Sequence, residues 1–262
     1  MFALLAAGSV MMATPAGPAG QWSVRVNPAS CVLERQTPGP VSTLSIATTP
    51  GSDSYRIAIA GKDVGKTASF VPATVGFDPS SHRISGFGSV ASLPQLSGQL
   101  IWMAGVTPAL LDELQAATSV TLATAGARAS MPIPKAAAAI GALRLCNADQ
   151  LIEWGADAAQ FAPGGALPVA LQDRDGWVSK KDLLAISSRV RPADIHATFR
   201  VGISPTGTID RCERVDAATD QGAEQIACAA VLTKVLFSPA KNGGGQPVRG
   251  VATFDVVVLR RP

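Results

Sequence analysis

Apolar and polar residues alternate over short stretches through most of the chain up to Pro134. Thr43–Thr48 reads TLSIAT and Tyr55–Ala60 reads YRIAIA, and a period of two is that of a strand with one buried face. Related β-prone runs begin at Trp22 (WSVRV), Cys31 (CVLER), Val41 (VSTLSIAT), Gly98 (GQLIWM), Ser119 (SVTLAT) and Ala127 (ARASMPI). Clusters such as TPG, GSD and DPSS mark turns between several of them. Two helices interrupt the pattern. Thr107 caps the first and Pro108 takes its opening turn, with ALLDELQAA following. The second is expected over Lys135–Asp149 and carries Cys146.

A different rhythm begins at Ser179, which with Asp182 forms an S-x-x-D capping box for a helix to about Ser188. His196–Ile203 (HATFRVGI) alternates as a strand, SPTG (Ser204–Gly207) turns, and TIDRCERV returns, predicting a hairpin. Gln221–Val235 is the strongest helical stretch, with Ile226, Ala229, Ala230, Leu232 and Thr233 on its packing face. The last strand, Val248–Leu259, places Ala252, Phe254, Val256 and Val258 toward a core and Val251, Thr253, Asp255 and Val257 on the other side. Between the two patterns, Gly155–Gln172 is rich in Ala, Gly and Pro without a period and reads as a linker. The expected fold class is therefore α+β. Its parts are a leader (1–20), a mainly-β domain with two helices (21–154), the linker (155–172) and a small α+β domain on an antiparallel sheet (173–262).

Hydrophobic residues make up 47% and charged residues 16% of the chain, a balance that excludes disorder over most of its length. Phe2–Ala13 is an uncharged apolar run followed by small residues and prolines, as in a secretory signal, although no Lys or Arg precedes Arg25. The run is shorter than the about 20 residues of a membrane span. Export puts Cys31, Cys146, Cys212 and Cys228 in an oxidising compartment, where disulfides are the default. Four cysteines allow three connectivities; one bridge inside each domain, Cys31–Cys146 and Cys212–Cys228, is the favoured one. Zinc is not expected, because there is no CxxC and neither His82 nor His196 is near a cysteine. No cofactor is expected either. Lys/Arg and Asp/Glu balance at nine each over Gln21–Asp157, and stand at thirteen to ten over Leu171–Pro262. So mild a bias argues against nucleic acid as a partner.

Catalytic motifs are incomplete. GKDVGKT (Gly61–Thr67) has three residues between its glycines where a phosphate loop needs four, so a turn is expected there. DRDG (Asp173–Gly176) lacks the later acidic ligands of a calcium loop. There is no G-x-S-x-G elbow. His82, after a DPSS turn, is expected to be exposed, and His196, opening a strand, to be structural. The chain reads as a non-enzyme.

From Trp177 onward the chain resembles the TonB C-terminal domain, in its exported, cysteine-containing form. The resemblance rests on WVSKKDL from Trp177, GTIDRC ending at Cys212, IAC at Cys228, FSPA at Phe237–Ala240, and GQPV before the last strand. Asp220–Glu224 (DQGAE) and a long NGGGQ loop depart from that pattern. More weakly, Trp22, Cys31, Arg35 and the late cysteine helix are similar to a domain that precedes TonB-like modules in some envelope proteins. The resemblance implies a periplasmic, transport-associated adaptor. Its last strand, through Val251, Thr253, Asp255 and Val257, would pair with an extended segment of an envelope or outer-membrane protein. The alternatives are that this strand is interior or covered by a homodimer mate. A conventional energy transducer needs an inner-membrane helix and a long Pro-rich span, and neither is found here. The rival reading is an envelope hydrolase with a site between the domains, recognisable by convergent acids or a Ser/His pair.

Overall fold

The structure is a computed structural model that describes residues 20–62, 64–93, 98–189, 195–215 and 221–258. Apart from Gly20, the expected leader lies outside the described residues. The architecture is α+β, mostly strand, with antiparallel sheets.

Nine strands form the first sheet: β1 (Trp22–Asn27), β2 (Ser30–Gln36), β3 (Val41–Thr48), β4 (Tyr55–Gly61), β5 (Ala68–Asp78), β6 (Arg83–Leu93), β7 (Gly98–Val106), β8 (Ser119–Thr124) and β9 (Arg128–Pro132). Their order is β1-β2-β3-β4-β7-β6-β5-β8-β9. The sheet curls until its ends approach: Trp22 Nε1 donates to the Pro134 carbonyl at 2.9 Å and Arg35 Nε to that of Pro132 at 3.3 Å. On the concave face lie two helices, α1 (Ala109–Ala116) and α2 (Ala136–Glu153). Leu33, Leu44, Ile46, Ile57, Ile59 and Ile101 from the strands meet Leu110, Leu114, Ile140 and Leu143 from the helices in one buried core. Helix α1 opens at Pro108 without a side-chain cap, so Thr107 contributes its carbonyl and not the expected hydroxyl. Helix α2 runs four residues beyond the expected Asp149.

Strands β5 and β6 are absent from the sequence reading. β6 is RISGFGSVASL, and glycine weakens the strand signal. Gly88 is nonetheless required by the packing: a Cβ there would stand 2.5 Å from the Trp102 carbonyl oxygen of β7. GKDVGKT forms a crossing loop, as expected, in which Gly65 bridges Ala127 and its N–H reaches Gln99 Oε1 at 3.2 Å. Asp63 lies outside the described residues.

The stretch Gly155–Gln172 carries more structure than its composition suggests. Asp157 caps a short 3-10 helix, Ala158–Phe161. Ala166 exchanges two backbone bonds with Lys241, and Val169–Ala170 (β10) pairs with Phe237–Ser238. It lies against its neighbours as a strap, whereas a linker was expected.

Beyond it lie α3 (Lys180–Arg189), β11 (Ile195–Ile203), β12 (Ile209–Arg214), α4 (Gln221–Val231), β13 (Phe237–Ser238), β14 (Ala240–Lys241), β15 (Pro247–Val248) and β16 (Gly250–Val258). The capping box forms as read: Ser179 Oγ accepts from the Asp182 N–H at 3.2 Å and donates to its carboxylate at 2.7 Å. Helix α4 stops four residues before the expected Val235, because Thr233 turns into the left-handed region (φ 65°) and its N–H bonds the Ile209 carbonyl. The three-stranded sheet has the order β12-β11-β16 and presents one face to a second core. In that core Phe199 stacks on Phe254 at 5.2 Å and Trp177 meets the edge of Phe237 at 5.1 Å. A third, small cluster of Leu151, Trp154, Ala156 and Val251 joins α2 to the opposite face of β16.

Both favoured disulfides are present. Cys31–Cys146 ties β2 to α2 across 115 residues, and Cys212–Cys228 ties β12 to α4 across 16. The entropy of the closed loops predicts different losses on removal. The pair Cys31→Ala/Cys146→Ala is expected to cost about 4–5 kcal/mol and Cys212→Ala/Cys228→Ala about 3 kcal/mol. Denaturant unfolding of the two double variants checks the order; a larger loss for the shorter loop would show that chain entropy does not set the difference.

Candidate functional site

Among the described residues, strand β16 has a strand neighbour on one side only, β11. In an antiparallel pair, alternate residues direct their backbone groups to the partner and the others direct theirs away. The Thr253 N–H donates to the Gly51 carbonyl at 3.1 Å, and the Arg249 carbonyl accepts from the Asp157 N–H at 2.9 Å. Odd-numbered positions therefore point outward, so the four residues singled out in the sequence, Val251, Thr253, Asp255 and Val257, carry the edge. Their side chains divide in two. Val251 and Thr253 are 3% and 2% exposed, whereas Asp255 and Val257 are open to solvent. The four do not form one open edge, because the β3–β4 turn covers its middle.

Arg174 holds that cover in place. Asp173 accepts the Asp175 N–H in a tight turn that opens the 3-10 segment Arg174–Gly176. The Arg174 side chain, 12% exposed, passes inward. Its Nη1 donates to the Gly51 carbonyl at 2.8 Å and to the Thr253 carbonyl, while Nε stands 3.0 Å from Asp53 Oδ2. The guanidinium also lies 5.6 Å from the Phe237 ring centre and 6.0 Å from that of Trp177. Burial lowers its pKa below the ordinary arginine value, and the Asp53 and Asp255 carboxylates oppose that shift. Thr253 completes the contact by donating its hydroxyl to the Pro50 carbonyl at 3.3 Å. Gly51 is required at the crossing: its φ is +79°, and a Cβ there would stand 2.8 Å from the Ala252 Cα.

Beside the turn opens a cleft of about 600 Å³ between the two larger cores. Tyr55, Leu111, Leu151, Phe161, Leu167 and Val251 supply much of its wall. Its two lining carboxylates are each held by an arginine, Asp53 by Arg174 and Asp112 by Arg144 at 2.5 Å. No histidine is among the lining residues. His82 lies elsewhere, its Nδ1 3.0 Å from Glu113 Oε1, and His196 is exposed on β11 opposite Val257. The cleft brings together neither a Ser/His pair nor two unpaired acids, so it lends the hydrolase reading no support. Among the described residues no group of three or more His, Cys, Asp or Glu is placed to hold a metal ion.

Arg174, Gly51 and Tyr55 shape this region, and no motif in the sequence marks them. DRDG is a surface turn by its composition, and nothing in it announces that the arginine between two aspartates points inward. No protein-family model matches the chain, no curated protein is similar to it, and no solved structure matches it.

Two outcomes follow from this geometry. Gly51→Ala is expected to destabilise the protein by about 1–3 kcal/mol, measured by thermal or denaturant unfolding; an unchanged midpoint would mean the turn moves freely off β16. Burial raises the pKa of Tyr55, Arg144 opposes the shift, and Asp112 adds to it. Its contribution to stability is complete below the unfolded value of about 10 and is lost as pH rises through the higher folded value. Tyr55 is the single tyrosine of the chain, so an absorbance titration reads it directly. Ionisation at or below pH ~10 would contradict its burial.

Proposed function

We propose that the protein is a non-enzymatic, TonB-like binding protein of the periplasm that holds an extended segment of an envelope or outer-membrane protein by strand addition at β16. The observation that carries this is the position of β16 at the sheet edge, with outward-pointing backbone groups at Asp255 and Val257 beyond the covering turn. A strand edge is a template for an incoming backbone. The succession of α3, the β11–β12 hairpin, α4 and β16 supports the TonB-like reading, since it repeats the order that the resemblance implies. Two disulfides fit an exported protein. Among the described residues no helix is long and apolar enough to cross a membrane, which fits an adaptor. The covered half of the edge restricts pairing to the Asp255 end, or requires the turn to move.

Photo-cross-linking in cells from a reactive side chain at Val257 tests the proposal. Capture of an envelope or outer-membrane protein, with at least a tenfold loss when Asp255 is replaced by Pro, is expected. Self-cross-links alone would point to a homodimer contact, and they or an absence of products would overturn the reading.

A further inference from the structure

The open end of β16 differs in character from the covered part. Asp255 and Val257 lie two residues apart on one face, both exposed. The Asp255 carboxylate accepts one hydrogen bond, from Thr198 Oγ1 at 2.6 Å. A small hollow of about 290 Å³ borders it, lined by Arg174, Asp175, Val178, Leu183, Asp255, Val256 and Val257. Among the described residues that line it, the one cation, Arg174, is already turned toward Asp53 and the two carbonyls. Asp175 and Asp255 therefore leave the hollow acidic, and Val178, Leu183 and Val257 give it an apolar wall. Cross-strand neighbours of opposite charge stabilise a sheet, and like charges directly opposite destabilise it.

Resting on the strand-pairing reading, we infer that the partner of β16 is an extended segment with a basic residue and, two positions away, an apolar residue, and that it displaces the β3–β4 turn as it pairs. The basic residue lies opposite Asp255, and the apolar residue lies against Val257. Pairing that continues to Thr253 claims the N–H and carbonyl now held by Gly51 and Arg174. Gly51 sits where the incoming backbone must pass, so the turn and the partner exclude each other. Arg174, bonded to the turn and to β16 at once, is the latch on that exchange.

Two labelled synthetic peptides of about ten residues, one repeating Lys-Ser-Val-Ser and one repeating Glu-Ser-Val-Ser, test this on the full chain by fluorescence anisotropy. The lysine peptide is expected to bind at least about tenfold more tightly than the glutamate peptide. Asp255→Lys is expected to reverse the preference. Arg174→Gln is expected to speed hydrogen exchange of the Thr253 amide at least about tenfold and to raise the lysine peptide's affinity severalfold. Equal affinities, no reversal in Asp255→Lys, or an unchanged Thr253 amide in folded Arg174→Gln would overturn the inference. Asp255 is exposed, so its variant keeps the test decisive even where Arg174→Gln fails to fold. Capture from Val257 of a segment lacking the basic residue would overturn this inference and leave strand pairing standing; no capture would overturn both.

Discussion

A guanidinium withdrawn from water must have its charge balanced and its N–H groups met, or the structure that buries it is unstable. Arg174 draws its charge partner and its carbonyl acceptors from both sides of a junction. The first sheet supplies Asp53 and the Gly51 carbonyl; the three-stranded sheet supplies the Thr253 carbonyl and the faces of Trp177 and Phe237. Nη1 donates to one carbonyl on each side. The side chain therefore couples the position of the β3–β4 turn to that of β16, and the second core to the first. Beside it, Thr253 holds the same turn through its N–H to Gly51 and its hydroxyl to Pro50, so two residues fix the cover on the edge.

That coupling also explains how an edge strand is kept from pairing at random. Exposed strand edges invite association with other chains, and proteins blunt them with short strands, charges or covering loops. Here the covering loop crosses at a glycine, and an exposed carboxylate, Asp255, follows two residues beyond the point it covers. Both devices work at the Thr253–Val257 end, where the proposed partner must enter. The cover satisfies one residue's backbone groups, whereas a paired strand would satisfy several, so an incoming segment can outweigh it.

The second core is small, and it gains rigidity from elements outside its sheet. Helix α4 is fixed to β12 by Cys212–Cys228, and the strap that follows α2 pairs with β13 and β14. Val251 closes the arrangement by entering the cluster of Leu151, Trp154 and Ala156. A position that alternation assigns to the non-core side is thereby buried, because a second packed surface covers that face too. The short edge and the adjoining cleft both result from two sheets lying face to turn with α2 between them.

Period and punctuation in the sequence determined most of the strands of the first sheet, all four helices, the α+β class, and the alternation that sends Phe254 and Val256 inward. These are local properties, set by side-chain spacing along a single element and by the residues that start or stop it. Strands β5 and β6 escaped because glycines, serines and Pro72 break up their apolar pattern; β6 is fixed by the close approach of Gly88 to β7, and β5 by pairing with β6 and β8. The strap escaped because its order comes from Lys241 and Phe237, some seventy residues away. Val251, Thr253, Asp255 and Val257 were legible as one face of the strand by the period of two; that their backbone groups turn away from β11 was not, because the pairing with β11 decides it. Which of them are open was not, because that depends on Gly51 and Arg174, whose neighbours in space are remote in the chain. Contacts between distant segments leave no periodic trace in either one, so only the tertiary structure decides them.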